Sequence, residues 1–146
     1  MGVAVLLGGP PPRPPVPRRP ATGLVATLEA APATGGWQFT LVVRNVGGEP
    51  VAVTWLVSPP LDATVWQGQR LIWQYSRVHH WVARESQRVL GAGQVWAWPV
   101  AWRDTDLGGR HVGSGTYLVR MTFIARWAGH EAPQVVGPVP ISVGGP

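Results

Sequence analysis

The sequence predicts an all-β protein, an antiparallel β-sandwich of about eight or nine short strands. Three observations lead there. In Gly115-Thr116-Tyr117-Leu118-Val119-Arg120-Met121-Thr122-Phe123, the residues Tyr117, Val119, Met121 and Phe123 recur at every second position. That is the period of a strand with one face on a core. The pattern repeats from Trp37, where Phe39, Leu41 and Val43 alternate with Gln38, Thr40, Val42 and Arg44. Finally, 19 glycines and 16 prolines among 146 residues signal many turns and short elements, which argues against a helical protein.

The length suits one domain with a single core. Residues 1–22 are set apart as a flexible arm, because Pro10-Pro11-Pro12-Arg13-Pro14-Pro15-Val16-Pro17-Arg18-Arg19-Pro20 lacks backbone donors for a sheet and favours an extended, solvated form. Residues 23–146 form the sandwich domain. Residues 24–30 read as a first strand, 32–36 as a turn and 37–46 as a strong second strand. After Gly47-Gly48-Glu49-Pro50, residues 51–57 make a third strand that ends at Ser58-Pro59-Pro60. Residues 61–66 and 71–75 form a hairpin around Gln67-Gly68-Gln69. Residues 77–85 read as a loop, a short helical turn or an irregular edge, and 87–90 as a short strand. Gly91-Ala92-Gly93 then turns the chain into a strand over 94–102. A polar, Gly-rich loop follows over 103–114, and a long strand over 115–127. A last strand over 134–143 carries Pro138 and Pro140, as an edge strand would.

The net charge is +5, and all 12 basic residues are Arg. Three of them, Arg13, Arg18 and Arg19, lie in the arm, so the body is close to balance. Its charges are scattered singly, which reads as solvated surface and not as a nucleic-acid groove. The absence of cysteine excludes disulfides, thiolate metal sites and Cys nucleophiles. Residues 1–9 are apolar but short and have no basic residue ahead of them, unlike a good signal peptide. No stretch approaches transmembrane length without Pro, Gly or charge. The expectation is a cytoplasmic chain without membrane contact.

Residues able to carry chemistry find little support as a site. His79 and His80 are adjacent, so on a strand they point to opposite faces and rarely share a metal. Asp104-Thr105-Asp106 starts like a calcium loop, but Leu107-Gly108-Gly109 follows and no closing Glu is present. No Gly-x-Ser-x-Gly elbow occurs, and the seven acids are dispersed. The reading is therefore a non-enzyme with no cofactor and no metal. Nine tryptophans are unusual. Trp37, Trp55, Trp73 and Trp127 fall on strands and are expected in the core. Trp96, Trp98 and Trp102 share one face of one strand. That row reads as core, with an exposed aromatic platform for sugars or a partner as the alternative. Tyr117 is expected to be a buried anchor whose hydroxyl finds a backbone acceptor.

The order of these features resembles the intracellular proteinase inhibitor family, BsuPI. The resemblance runs from about Phe39 to Trp127. It starts with Val43-Arg44-Asn45 and Glu49-Pro50-Val51, then takes in Ala63-Thr64-Val65-Trp66-Gln67-Gly68 and Leu71-Ile72-Trp73-Gln74-Tyr75-Ser76. Trp81 (where phenylalanine is more usual), Gly91-Ala92-Gly93, Trp102 and Gly115-Thr116-Tyr117-Leu118-Val119 complete it. The resemblance implies an immunoglobulin-like sandwich and an inhibitor of an intracellular subtilisin-type serine protease, expected to act as a monomer. Such inhibitors commonly fill the active-site cleft with an extended loop. The candidate loop is 103–114, with Asp104, Asp106, Leu107, Arg110 and His111 as contact residues. Ser58, Pro59, Pro60 and Leu61 form an alternative loop. Without a disulfide, the ends of loop 103–114 need packing to hold them, and Trp102 and Tyr117 are placed to supply it.

Overall fold

The period-two segments do build strands in the computed structural model, which describes residues 23–144. The arm over residues 1–22 lies outside the described residues. In chain order the elements are β1 (Leu24–Ala33), β2 (Gly36–Asn45), β3 (Val51–Ser58), β4 (Leu61–Gln67), β5 (Arg70–Gln74), α1 (Tyr75–Val78), β6 (Val82–Leu90), β7 (Val95–Trp102), β8 (Gly115–Phe123), β9 (Arg126–Trp127) and β10 (Gln134–Val143). All pairings are antiparallel. One sheet has the order β1-β2-β7, a second β10-β8-β4-β5, and a third β6-β3-β9. The first two sandwich the core, which holds Phe39, Leu41 and Val43 from β2 against Tyr117, Val119, Met121 and Phe123 from β8.

The third sheet is a departure from the expected two-sheet plan. Residues 115–127 are not one strand. The chain pairs with β4 as far as Phe123, opposite Leu61, and then leaves that sheet. It pairs again as β9, where Trp127 lies opposite Val53 and Arg126 opposite Thr54. The partner strand bends at the same level, at Pro59 and Pro60. Prolines cannot donate to a ladder, but their carbonyls still accept, and Ile124 N–H donates to Pro60 O at 2.8 Å. The β3–β4 and β8–β9 strands thus form one long ribbon folded across a corner, a device by which strands change sheets.

Two other boundaries differ from the sequence reading. The short helical turn among the readings of residues 77–85 is present as α1, but the strand expected over 87–90 starts earlier, since β6 extends over nine residues. Pairing with β3 imposes the extended form on this stretch, Leu90 opposite Val51 and Ser86 opposite Trp55. The first strand runs on to Ala33 because β1 and β2 stay in register up to Ala33 opposite Gly36. Gly36 has a steric reason: a side chain there would collide with the Trp102 carbonyl on β7.

Two buried polar side chains fix the corners. Asn45, 1% exposed, donates to Glu49 O at 2.7 Å and Leu90 O at 2.9 Å and accepts from Gly47 N–H at 3.0 Å. It ties the β2–β3 turn to the end of β6. Asp62 on β4 accepts from Gln74 Nε2 at 2.7 Å, Ser76 N–H at 3.0 Å and Ser76 Oγ at 2.8 Å. Those bonds hold α1 against the sheet edge. Asp62→Ala removes the shared acceptor and strands its part-buried donors, so it is expected to cost about 2–3 kcal/mol. Equilibrium urea unfolding measures it, and a loss below about 0.5 kcal/mol, the range of surface changes, would show that the network is not structural.

Candidate functional site

The polar, Gly-rich loop read over residues 103–114, which links β7 and β8, is a small closed hairpin. Thr105 and His111 form an isolated antiparallel bridge. Asp106 N–H donates to Arg110 O at 2.8 Å, and Val112 N–H to Asp104 O at 2.9 Å. The Asp106 carboxylate caps the turn by accepting from Gly108 N–H at 2.9 Å and Arg110 N–H at 3.0 Å. This is the self-bonding that makes Asp a turn residue. Gly109, at φ 80°, takes the left-handed conformation that closes the tip.

Both ends of the hairpin are clamped by buried aromatic residues. Trp102 is 1% exposed, and its indole N–H donates to Thr105 O at 2.8 Å. Tyr117 is 2% exposed, and its hydroxyl donates to Gly113 O at 2.7 Å. The two rings meet edge-on, their centroids 6.0 Å apart. The expected anchor at Tyr117 and the clamping role of Trp102 are both realised. The five candidate residues then separate by role. Asp106 builds the turn. Asp104 sits at its base, at φ 57° and with Oδ1 buried and unpartnered. Leu107, Arg110 and His111 are exposed. Beside the tip lies a groove of about 800 Å³. One wall is Trp73, Tyr75, Val78 and His79, and the other is Pro99, Ala101 and Leu107.

The alternative contacts fare differently. Pro60 and Leu61 are buried, the latter completely, because Ser58-Pro59-Pro60-Leu61 is the corner of the bent ribbon and not a projecting loop. The aromatic platform also loses its row. Trp102 is core, between Phe39 at 6.0 Å and Trp73 at 6.4 Å. Trp96 and Trp98 are half-buried and pack edge-on around Trp55, at 5.6 and 6.0 Å. The histidines are occupied or dispersed: His79 stacks on Tyr75 at 4.6 Å and His130 on Trp127 at 4.9 Å. Among the described residues no group of three His, Cys, Asp or Glu is placed to hold a metal. No helix there is long and apolar enough to cross a membrane.

The family model for intracellular proteinase inhibitors, BsuPI, matches residues 24–127. The chain belongs to the BsuPI family. No curated protein matches it. Membership implies a proteinase inhibitor, a binding protein and not an enzyme, with a protease as its partner. The matched span contains every strand from β1 to β9, and so both clamps and the hairpin they hold.

The sequence reading missed Asp62, Asn45 and the arginines of β6. Asp62 carried no distinguishing signal, since Glu29 is likewise a single acid among apolar and small strand neighbours and is exposed.

Tyr117→Phe keeps the ring and removes one part-buried hydrogen bond, so it is expected to cost about 1 kcal/mol. Tyr117→Ala is expected to cost about 3–5 kcal/mol. Urea unfolding of both variants checks this, and equal losses would deny the hydroxyl its role.

Burial raises the Asp104 carboxyl above its ordinary value, and the nearby His111 charge partly opposes this. A raised folded value favours the protonated fold. Its contribution is fully present below the ordinary carboxylate range and is lost as pH rises through the folded value. Asp104→Asn tolerates the positive φ and removes the charge. The variant is expected to match wild type near pH 3 and to melt higher at about pH 7. Thermal melts across that range test it, and a constant offset would contradict it.

Proposed function

We propose that this protein inhibits a subtilisin-type serine protease of the cytoplasm by seating the 103–114 hairpin in the protease cleft, with Leu107 entering a specificity pocket. The observation that carries this reading is the double clamp. A disulfide-free loop loses conformational freedom on binding, and that loss weakens association. Here the Trp102 and Tyr117 hydrogen bonds hold both ends of the hairpin before any partner arrives. The Asp106 carboxylate holds its turn. Leu107 is an exposed apolar side chain at the tip of this pre-formed turn, of the kind that a hydrophobic protease specificity pocket accepts. Arg110 and His111 flank it and offer polar contacts at the rim. The inhibitor acts as a monomer and uses neither nucleic acid nor membrane.

The experiment is an activity assay of an intracellular subtilisin with micromolar inhibitor present. Wild type is expected to suppress cleavage. Leu107→Ala is expected to weaken inhibition about thirtyfold, the loss of a well-filled hot-spot pocket, with an unchanged melting temperature. A fully active protease would overturn the reading. Inhibition insensitive to Leu107→Ala would move the contact to another surface.

A further inference from the structure

The core-facing side of β6 breaks the rule that the other strands follow. Leu90, at its end, is fully buried opposite Val51. The next positions on that side continue the pairing with core residues: Arg88 lies opposite Val53, and Ser86 opposite Trp55. The register then shifts before Ala83 meets Val57, and Arg84 sits in that irregularity. Bulges commonly re-aim a side chain beside a functional site. Apolar residues are what this face requires, and two guanidiniums and a hydroxyl occupy it. A local breach of patterning of this kind points to function.

The breach lines a cleft. Arg84, Ser86 and Arg88 form one wall, and Trp96 and Trp98 of β7 form the facing one, around a volume of about 330 Å³. No acidic side chain is part of the lining. Nor are the arginines parked on the indoles: the cation–π contact among the described residues is Arg120 over Trp66, on another sheet. Two cations therefore face half-buried aromatic surface in a cleft with no carboxylate in its lining; Glu85, next to Arg84 in the chain, is not part of that lining.

The geometry favours an extended occupant over a point anion. The guanidiniums are rooted at separate positions along a strand. The cleft also opens between two outermost strands, β6 and β7, each with one side unpaired among the described residues. On β7 the free groups can be placed. Asn45 N–H donates to Gln94 O at 3.0 Å, which sets the phase of the β2–β7 ladder. Trp96, Trp98 and Val100 then turn their backbone groups to β2, and Val95, Ala97, Pro99 and Ala101 turn theirs outward. Pro99, which lacks an N–H, falls on the outward set, as an edge proline must. Among the described residues, the Val95 and Ala97 N–H groups are thus unpaired donors beside the cleft.

We propose that the cleft between β6 and β7 binds an extended acidic segment of a protein partner. Its carboxylates reach Arg84 and Arg88, an apolar or aromatic side chain rests on Trp96 and Trp98, and its backbone pairs along the sheet edge. This site is separate from the hairpin, and its test needs no protease.

The probe is acetyl-Glu-Val-Phe-Val-Glu-amide, titrated into the full chain and followed by the indole N–H resonances of Trp96 and Trp98. Its neutral counterpart has Gln at both ends. The acidic peptide is expected to shift those resonances. Arg84→Gln and Arg88→Gln are each expected to weaken binding about fivefold, as is usual for losing a solvent-accessible ion pair. Added salt is expected to weaken it as well, and Leu107→Ala to leave it unchanged. Both arginines are exposed, so the variants fold. The proposal fails if the peptide produces no shift, if the Gln peptide binds equally, or if the double Arg variant binds as wild type does. It also fails if phenyl phosphate occupies the cleft where the peptide does not, which would make the cleft a small-anion site.

Discussion

The structure depends most on one buried indole. Trp102 ends β7, yet it touches Phe39 on β2, Trp73 on β5 and Tyr117 on β8. A single side chain thereby joins both main sheets and supplies a large part of the apolar area at that end of the core. Its only polar atom must find a partner once buried. The partner it finds is Thr105 O, at the base of the hairpin. The same residue that closes the core therefore fixes the proposed contact element. Loss of the indole would loosen both together.

The opposite end is organised by the bent ribbon. Because β3 and β9 fold away at Pro59-Pro60 and Ile124-Ala125, their inward residues Trp55 and Trp127 cover an end of the sandwich that two flat sheets would leave open. Trp55 meets Trp96 and Trp98, and Trp127 meets Phe123 at 5.8 Å. The bend also separates β6 from β7. The two strands are joined by a short turn but pair with different partners, β3 and β2. A hairpin that splits in this way leaves a cleft where an ordinary hairpin leaves a continuous sheet.

Rigidity without disulfides comes from polar groups that are few, buried and multiply bonded. Asn45 uses both amide hydrogens and its oxygen, and Asp62 receives bonds from β4, β5 and α1. Each ties together backbone segments distant in sequence. Exposed edges are protected differently. Proline interrupts β7 and β10, and charge marks β6, so the free edges resist indiscriminate pairing.

Alternation alone determined much of this protein. Phe39, Leu41, Val43, Tyr117, Val119, Met121 and Phe123 announce their strands and their inward faces because a side-chain period of two is a local property of the backbone. Tyr117 as an anchor and Trp102 as a clamp were legible for the same reason: a large aromatic at the core-facing position beside a polar loop has one polar atom to satisfy nearby. Local pattern could not reveal which strand each one pairs with. Pairing with β3 makes residues 82–86 a strand, although their own pattern is mixed. The continuity of residues 115–127 gave no sign that the chain changes sheets after Phe123, since that change is set by the prolines of a segment some sixty positions earlier. Leu61 read both as the first residue of a strand and as a contact of the Ser58-Pro59-Pro60 turn; it starts β4 and is core because the ribbon bends there. Arg84 and Arg88 looked like scattered surface charge, and only the pairing of β6 with β3 sets them across a cleft from the tryptophans of β7. Sequence fixes which way a side chain faces relative to its own backbone; what lies opposite depends on contacts between distant segments, and those exist only once the chain has folded.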